Sequence, residues 1–276
     1  MKNSNNYDNE KQAFAEAFSE FAKTLERYIA REGEWTVKGF VDVFKNVYTI
    51  SSDTKVISKI LELHLFPHFV EFANKIGYEI ELATHQNWYP DLTFVNKSNR
   101  GIIFAVDIKT TYINEKRPLF CNGFTLGSHG DYFVNRENSK NIQYPYSKYS
   151  GHFCLGIIYS RATLTAEFES AKYSINELDE IPSVINNFIF FFTEKWRIAS
   201  DKRGSGNTAN IGSIKMLADV LEGNGVFAKA GEDVFDDYWI NYGKIQIKTK
   251  SGKLKPMTSF EEYISYRGLS HDLLNR

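Results

Sequence analysis

The chain has 276 residues, enough for one large core with a smaller lobe or for two small domains, and the former is expected. Lys plus Arg (33) nearly balance Asp plus Glu (34), a formal net charge of −1, so there is no globally basic surface; a nucleic-acid partner would require locally segregated charge. No apolar run approaches the roughly 20 residues of a membrane span, the start Met1-Lys2-Asn3-Ser4 has no apolar signal core, and the two cysteines (Cys121, Cys154) lack metal-ligand spacing, so a soluble cytoplasmic protein with free thiols is expected.

Residues 1–10 are polar and read as loose. Phe14, Phe18, Phe21, Leu25 and Tyr28 then recur at helical spacing, which predicts a helix over 13–29 closed by Gly33. Residues 35–50 read as extended. Ser52-Asp53 is an N-cap pair for a second helix, with Val56, Ile57, Ile60 and Leu61 on one side and Lys55, Lys59 and Glu62 on the other. Pro67 is expected to kink or end it, with a further helical stretch to Lys75 before Gly77. A strand over 78–84 enters the polar loop His85-Gln86-Asn87-Trp88.

That loop leads into the most informative stretch, Tyr89-Pro90-Asp91-Leu92-Thr93-Phe94, followed after a polar turn by Val106-Asp107-Ile108-Lys109. Both flanks of the turn are rich in β-branched and aromatic residues, which predicts an antiparallel hairpin. Residues i and i+2 share a strand face, so Asp107 and Lys109 project together with Asp91 at the entrance of the partner strand. Two carboxylates suit a hard cation such as Mg²⁺, and a lysine beside them can orient an attacking water and neutralise charge on a phosphorane. The spacing is that of the PD-(D/E)xK nucleases. A solvated strand face with a weak ion pair is the plain alternative, opposed by the apolar surroundings, where such charges would be costly.

Further on, residues 153–159 form an apolar run without alternation, as does the Phe-rich stretch 187–193; both suit strands covered on two faces. The strand and helix order suggests a mixed α/β sheet with helices on its faces. Lys202-Arg203-Gly204-Ser205-Gly206-Asn207-Thr208-Ala209-Asn210 lacks the third glycine of a dinucleotide fingerprint and the Gly-Lys-Ser/Thr of a P-loop. A surface turn is one reading. Its glycines let backbone approach a partner closely, and an Asn side chain can both donate and accept. Lys244, Lys248, Lys250, Lys253 and Lys255 form a basic run before a short helix over 260–266.

Several blocks together resemble the EcoRV-type restriction endonucleases: Ser52-Asp53-Thr54-Lys55, Gln86-Asn87, Tyr89-Pro90-Asp91, Val106-Asp107-Ile108-Lys109-Thr110-Thr111-Tyr112, Phe124-Thr125-Leu126-Gly127, Ile175-Asn176-Glu177-Leu178 and the loop around Gly204-Ser205-Gly206-Asn207-Thr208. They run in the family's order from about residue 20 to 267. The resemblance implies a restriction-endonuclease-like fold as one domain over 1–276, with residues 33–50 and 166–176 forming a dimerisation lobe. It implies a Mg²⁺-dependent, homodimeric enzyme that cuts double-stranded DNA. Asp91 and Asp107 would hold the metal, Glu62 would add a further acidic group, and Lys109 would position water. Gly204, Ser205, Gly206, Asn207, Thr208 and Asn210 would read the major groove and Gln86 and Asn87 the minor groove, with Thr54, Thr110 and Thr111 as further DNA contacts. His85, Trp88, Arg203 and Ala209 depart from the family pattern. The loop resembles that of enzymes cutting GATATC to blunt ends, which implies a companion adenine methyltransferase. A repair or recombination nuclease and an inert DNA-binding protein are the alternatives.

Overall fold

The computed structural model describes residues 4–85, 87–169, 171–204, 209–249 and 252–274. Gln86, Ser205, Gly206, Asn207, Thr208 and Lys250, singled out above, lie outside the described residues. The chain opens with α1 (Ser4–Ala22), α2 (Glu26–Ile29), β1 (Ala30–Arg31), β2 (Glu34–Trp35), β3 (Gly39–Val41) and β4 (Asn46–Thr49). Next come α3 (Thr54–Lys75), β5 (Tyr78–Glu81), β6 (Leu92–Asn96), β7 (Ile103–Tyr112), β8 (Thr125–Ser128), α4 (Asp131–Val134) and β9 (Gly151–Arg161). The remainder holds α5 (Ala166–Glu169), β10 (Lys172–Ser174), β11 (Ile185–Glu194), β12 (Ala199–Arg203), β13 (Asn210–Ser213), α6 (Leu217–Glu222), α7 (Glu232–Asn241), β14 (Gln246–Lys248), β15 (Leu254–Pro256) and α8 (Phe260–Arg267).

A seven-stranded sheet in the order β1-β2-β11-β9-β7-β6-β5 organises the molecule. Its neighbours are antiparallel except β7 and β9, which run parallel, so the sheet is mixed. Alternation along the central strands divides the core. Phe104, Val106 and Ile108 of β7 join Phe153 and Leu155 of β9 under α1 and α3. Ile103 and Ala105 join Cys154 and Ile158 on the opposite face, against Phe133, Phe227, Tyr238 and Trp239. Both faces are covered, which is why these strands read as unbroken apolar runs.

Three expectations need correction. Residues 4–10 are not loose but the first turns of α1, because Phe14 stacks on Phe104 at 4.4 Å and Phe18 on Phe192 at 4.0 Å, and tertiary packing of one face carries a polar N-terminal extension with it. The helical region also breaks after Ala22, and Gly33 sits in the β1–β2 turn at φ +82° instead of ending a helix. Pro67 does not end α3; the helix runs 22 residues through it. A missing helix hydrogen bond and ring clash cost about 3 kcal/mol. Burial of Ile57, Leu61, Leu65, Phe69 and Phe72 on the sheet, each contributing roughly 1.5–3 kcal/mol, outweighs that. The cap is as expected: the Asp53 carboxylate accepts the N–H groups of Lys55 (2.9 Å) and Val56 (3.2 Å).

Two smaller sheets flank the main one. β10-β4-β3 brings residues 39–49 and 172–174, far apart in sequence, into one unit. β12-β13-β8 lies over the second core face. Among the described residues no helix is long and apolar enough to cross a membrane, and Cys121 and Cys154 are free and buried.

Candidate active site

Residues 91–109 form the expected hairpin. Leu92 pairs with Val106, so Asp91 stands at the head of β6 opposite Asp107. Asp91 is anchored by the backbone: its Oδ2 accepts the Ile108 N–H at 2.7 Å. The Lys109 ammonium lies 2.9 Å from Asp107 Oδ2 and 3.7 Å from Asp91 Oδ2, between both carboxylates. Their exposure is graded, the Asp107 side chain 6% exposed, Lys109 22% and Asp91 32%. Asp107 is therefore the floor of the site and Asp91 its mouth.

Burial pushes the Asp91 carboxyl up to about 6; the Lys109 ammonium pulls it back, while the charges of Asp107 and Glu62 add to the rise. Burial alone would lower the Lys109 ammonium, but Asp107 and Asp91 overcome it and raise it above its ordinary value. Lys109 is thus an ammonium and a donor in this arrangement.

The site opens into a cleft of about 750 Å³. α3 contributes Thr54, Lys59 and Glu62, β7 contributes Thr110 and Thr111, and β8 contributes Thr125 and Gly127. Glu62 reaches the cleft, yet its carboxylate is taken by Lys59 at 2.6 Å. Among the described residues no three His, Cys, Asp or Glu side chains come together as a metal cage. Thr111 is almost wholly buried, whereas Thr110 is partly open.

The Gly-rich loop is tied to this cleft through β8. The Gly204 N–H donates to the Asn210 carbonyl at 2.8 Å, closing the neck of the loop, and Asn210 pairs with Ser128. Gly212 pairs with Thr125, and a Cβ there would stand 2.8 Å from the Lys202 carbonyl oxygen, so the close backbone approach needs glycine. One short strand thus lines the cleft and holds the base of the loop. Asn87 is exposed beside a turn closed by Trp88 N–H on the His85 carbonyl at 3.0 Å. The sequence pattern assigns no role to Thr125 and Gly127, although their block stands out in it; only the tertiary pairing of β8 with β13 shows what they line.

A mixed sheet that presents two aspartates and a lysine from one hairpin in a cleft has the arrangement expected of the PD-(D/E)xK nucleases. A family profile for restriction endonuclease EcoRV matches residues 31–268. The chain is also 39% identical over 236 residues to the type II restriction enzyme EcoRV of Escherichia coli, across 85% of this chain and 93% of that protein. The chain belongs to the EcoRV family of type II restriction endonucleases and is a site-specific deoxyribonuclease.

Proposed function

We propose that this chain is a Mg²⁺-dependent, homodimeric enzyme that cleaves GATATC at its centre to leave blunt ends. The observation that carries the catalytic part is the Asp91–Lys109–Asp107 arrangement, running from mouth to floor of an open cleft. Its donor set fits Mg²⁺, which keeps several waters and needs only one or two carboxylates plus substrate phosphate. Asp91 and Asp107 would hold the ion, with Glu62 as a further acidic group on the wall. Bound there, Mg²⁺ would supply Lewis-acid stabilisation of the reacting phosphate. Lys109 acts as a donor: it orients the attacking water and stabilises the charge that develops on the phosphoryl oxygens.

Recognition is assigned to the loop from Gly204 through Ser205, Gly206, Asn207 and Thr208 to Asn210 in the major groove, and to Gln86 and Asn87 in the minor groove. Thr54 and Thr110 stand on the cleft walls where duplex backbone would pass; Thr111 serves the cleft from a buried position. Local charge takes the place of the missing global one: Arg203 and Lys244 share a cleft of about 660 Å³ with His129 and a single carboxylate, Asp131. Two active sites, one per strand, require a two-fold dimer for a palindrome, and the β10-β4-β3 lobe is the assigned interface. Protection of host DNA falls to a companion adenine methyltransferase.

Incubation with plasmid DNA and Mg²⁺, followed by sequencing of the ends, tests the proposal. Blunt ends within GATATC are expected. Random ends would favour a repair or recombination nuclease, and uncut plasmid an inert DNA-binding protein.

A further inference from the structure

Beneath the cleft lies a lysine that the reaction outlined above does not use. β11 ends at Glu194, and Lys195 opens a short 3-10 turn (Lys195–Ile198). Thr193 pairs with Cys154 and Cys154 with Asp107, and Lys195 follows directly on the end of β11. The residue is 2% exposed and its Nζ has no hydrogen-bond partner among the described residues. The ammonium stands among three rings, 5.2 Å from Tyr89, 5.5 Å from Tyr146 and 5.6 Å from Phe133. It also comes within 3.8 Å of where a Cβ on Gly127 would be, and Gly127 lines the cleft with Lys109. The side chain thus reaches up under the floor of the site.

A buried charge without a hydrogen bond is expensive, and cation–π contacts return only about 2 kcal/mol when desolvated. An apolar residue would fill this position at lower cost, so a compensating charge is required. Burial pulls the Lys195 ammonium down to about 8; of the charges that hold it up Asp107 is the largest, ahead of Asp236 and Glu232, while Lys109 opposes. The floor of the site has an excess to balance. Asp91 and Asp107 carry two negative charges against the one positive charge of Lys109, which both share. Lys195 brings the second positive charge from the protein side, through a bed of aromatic rings that keeps water from screening it.

We propose that Lys195 is a positioning residue of the nuclease site, a buried counter-charge that acts through Asp107 and keeps the two carboxylates together in the cleft. This rests on the assignment of Asp91, Asp107 and Lys109 as the catalytic set. Lys195 is closed off from solvent; its effect on the reaction passes through Asp107.

The test is a two-by-two set of wild type, Lys195→Met, Asp107→Asn and the double variant, since methionine keeps the length and removes the charge. Lys195→Met is expected to slow plasmid cleavage in Mg²⁺ by about 10–100-fold, the range for residues that support a metal ligand, with duplex binding in Ca²⁺ unchanged. It should also lower the urea midpoint of the metal-free protein when Asp107 is present, and leave it unchanged or raise it when Asp107 is Asn. Wild-type cleavage rates in Lys195→Met, or the same midpoint loss in both backgrounds, would overturn the inference, the latter showing a packing role. Should Lys195→Met fail to fold, Asp107→Asn must restore folding, and a double variant that stays unfolded overturns it. Plasmid left uncut by the wild type would instead sink the nuclease assignment, while the midpoints still report whether Lys195 and Asp107 are coupled.

Discussion

Asp91 and Asp107 face each other across one strand pair yet serve different ends of the site, one at the mouth and one at the floor. The consequence for Asp91 can be measured. Its folded-state carboxyl, near 6, lies above the ordinary 3.8, so the folded protein binds this proton more tightly than the unfolded chain. Above pH 6 the ionised group costs stability, and that cost disappears as pH falls toward 4. Asp91→Asn should therefore stabilise the metal-free protein at pH 8 by on the order of 1–2 kcal/mol, discounted for its open third, and leave it unchanged at pH 4. Thermal melts at both values check this, and an equal shift at both would exclude the charge as its cause. Metal competes with the same proton, so Mn²⁺ or Ca²⁺ affinity should fall below pH 6. Lys109→Ala should remove about 10²–10⁴-fold of cleavage and leave duplex binding in Ca²⁺ intact; near wild-type cutting would take Lys109 out of the chemistry. The Asp91, Asp107 and Lys109 set was legible in sequence because strand alternation and a short turn fix all three locally. Lys195 was not, since only the packing of β11 beside β9 and β7 brings it under Asp107.

At the scale of elements, patterns confined to one segment carried through to the structure and patterns opposed by distant packing did not. The hairpin β6–β7 and the Asp53 cap came out as read. Pro67 and residues 4–10 followed the sheet they pack on instead of their own propensity. The loop between β12 and β13 shows both sides: the family resemblance implied base readout, but its attachment to β8, and so to the cleft, is a long-range fact. A bidentate Asn207–adenine contact discriminates by roughly 1–3 kcal/mol. Asn207→Ala should lose preference for the site by that amount, and an N6-methyl on the first adenine of GATATC should block the wild type. Competitive cleavage of methylated and unmethylated duplexes decides it, and efficient cutting of the methylated one would remove the loop as reader. The β14–β15 hairpin carries a separate expectation. Lys255 is engaged by Glu262, whereas Lys248 is exposed and forms no ion pair among the described residues. Replacing Lys248 and Lys250 with Ala should flatten the salt dependence of binding by up to about 0.9 for each phosphate that is no longer neutralised, without altering the preferred sequence. An unchanged slope would mark the run as solvated surface.

For the whole molecule, both core clusters grow from opposite faces of the same strands, β7, β9 and β11, so neither can form without the sheet they share. That supports one endonuclease domain over the chain, with the β10-β4-β3 sheet as an outlying lobe. The lobe exposes what a monomer would hide: Phe40 is 62% exposed, Val41 57%, Val43 90% and Phe44 80%, all on or beside one hairpin. Residues this apolar, adjacent and open mark an interaction surface more often than an ordinary one. A self-complementary patch related by a two-fold axis places two clefts on the two strands of a palindrome. The protein is therefore expected to sediment as a dimer at micromolar concentration. Val43→Asp with Phe44→Glu should yield a folded monomer, because neither side chain is part of either core. Plasmid cleavage is the decisive readout. A dimer cuts both strands in one encounter, so the monomeric variant should lose linear product and leave at most nicked circles. A wild type that sediments as a monomer with DNA bound, or a variant that still linearises plasmid at the wild-type rate, would remove this lobe from the assembly.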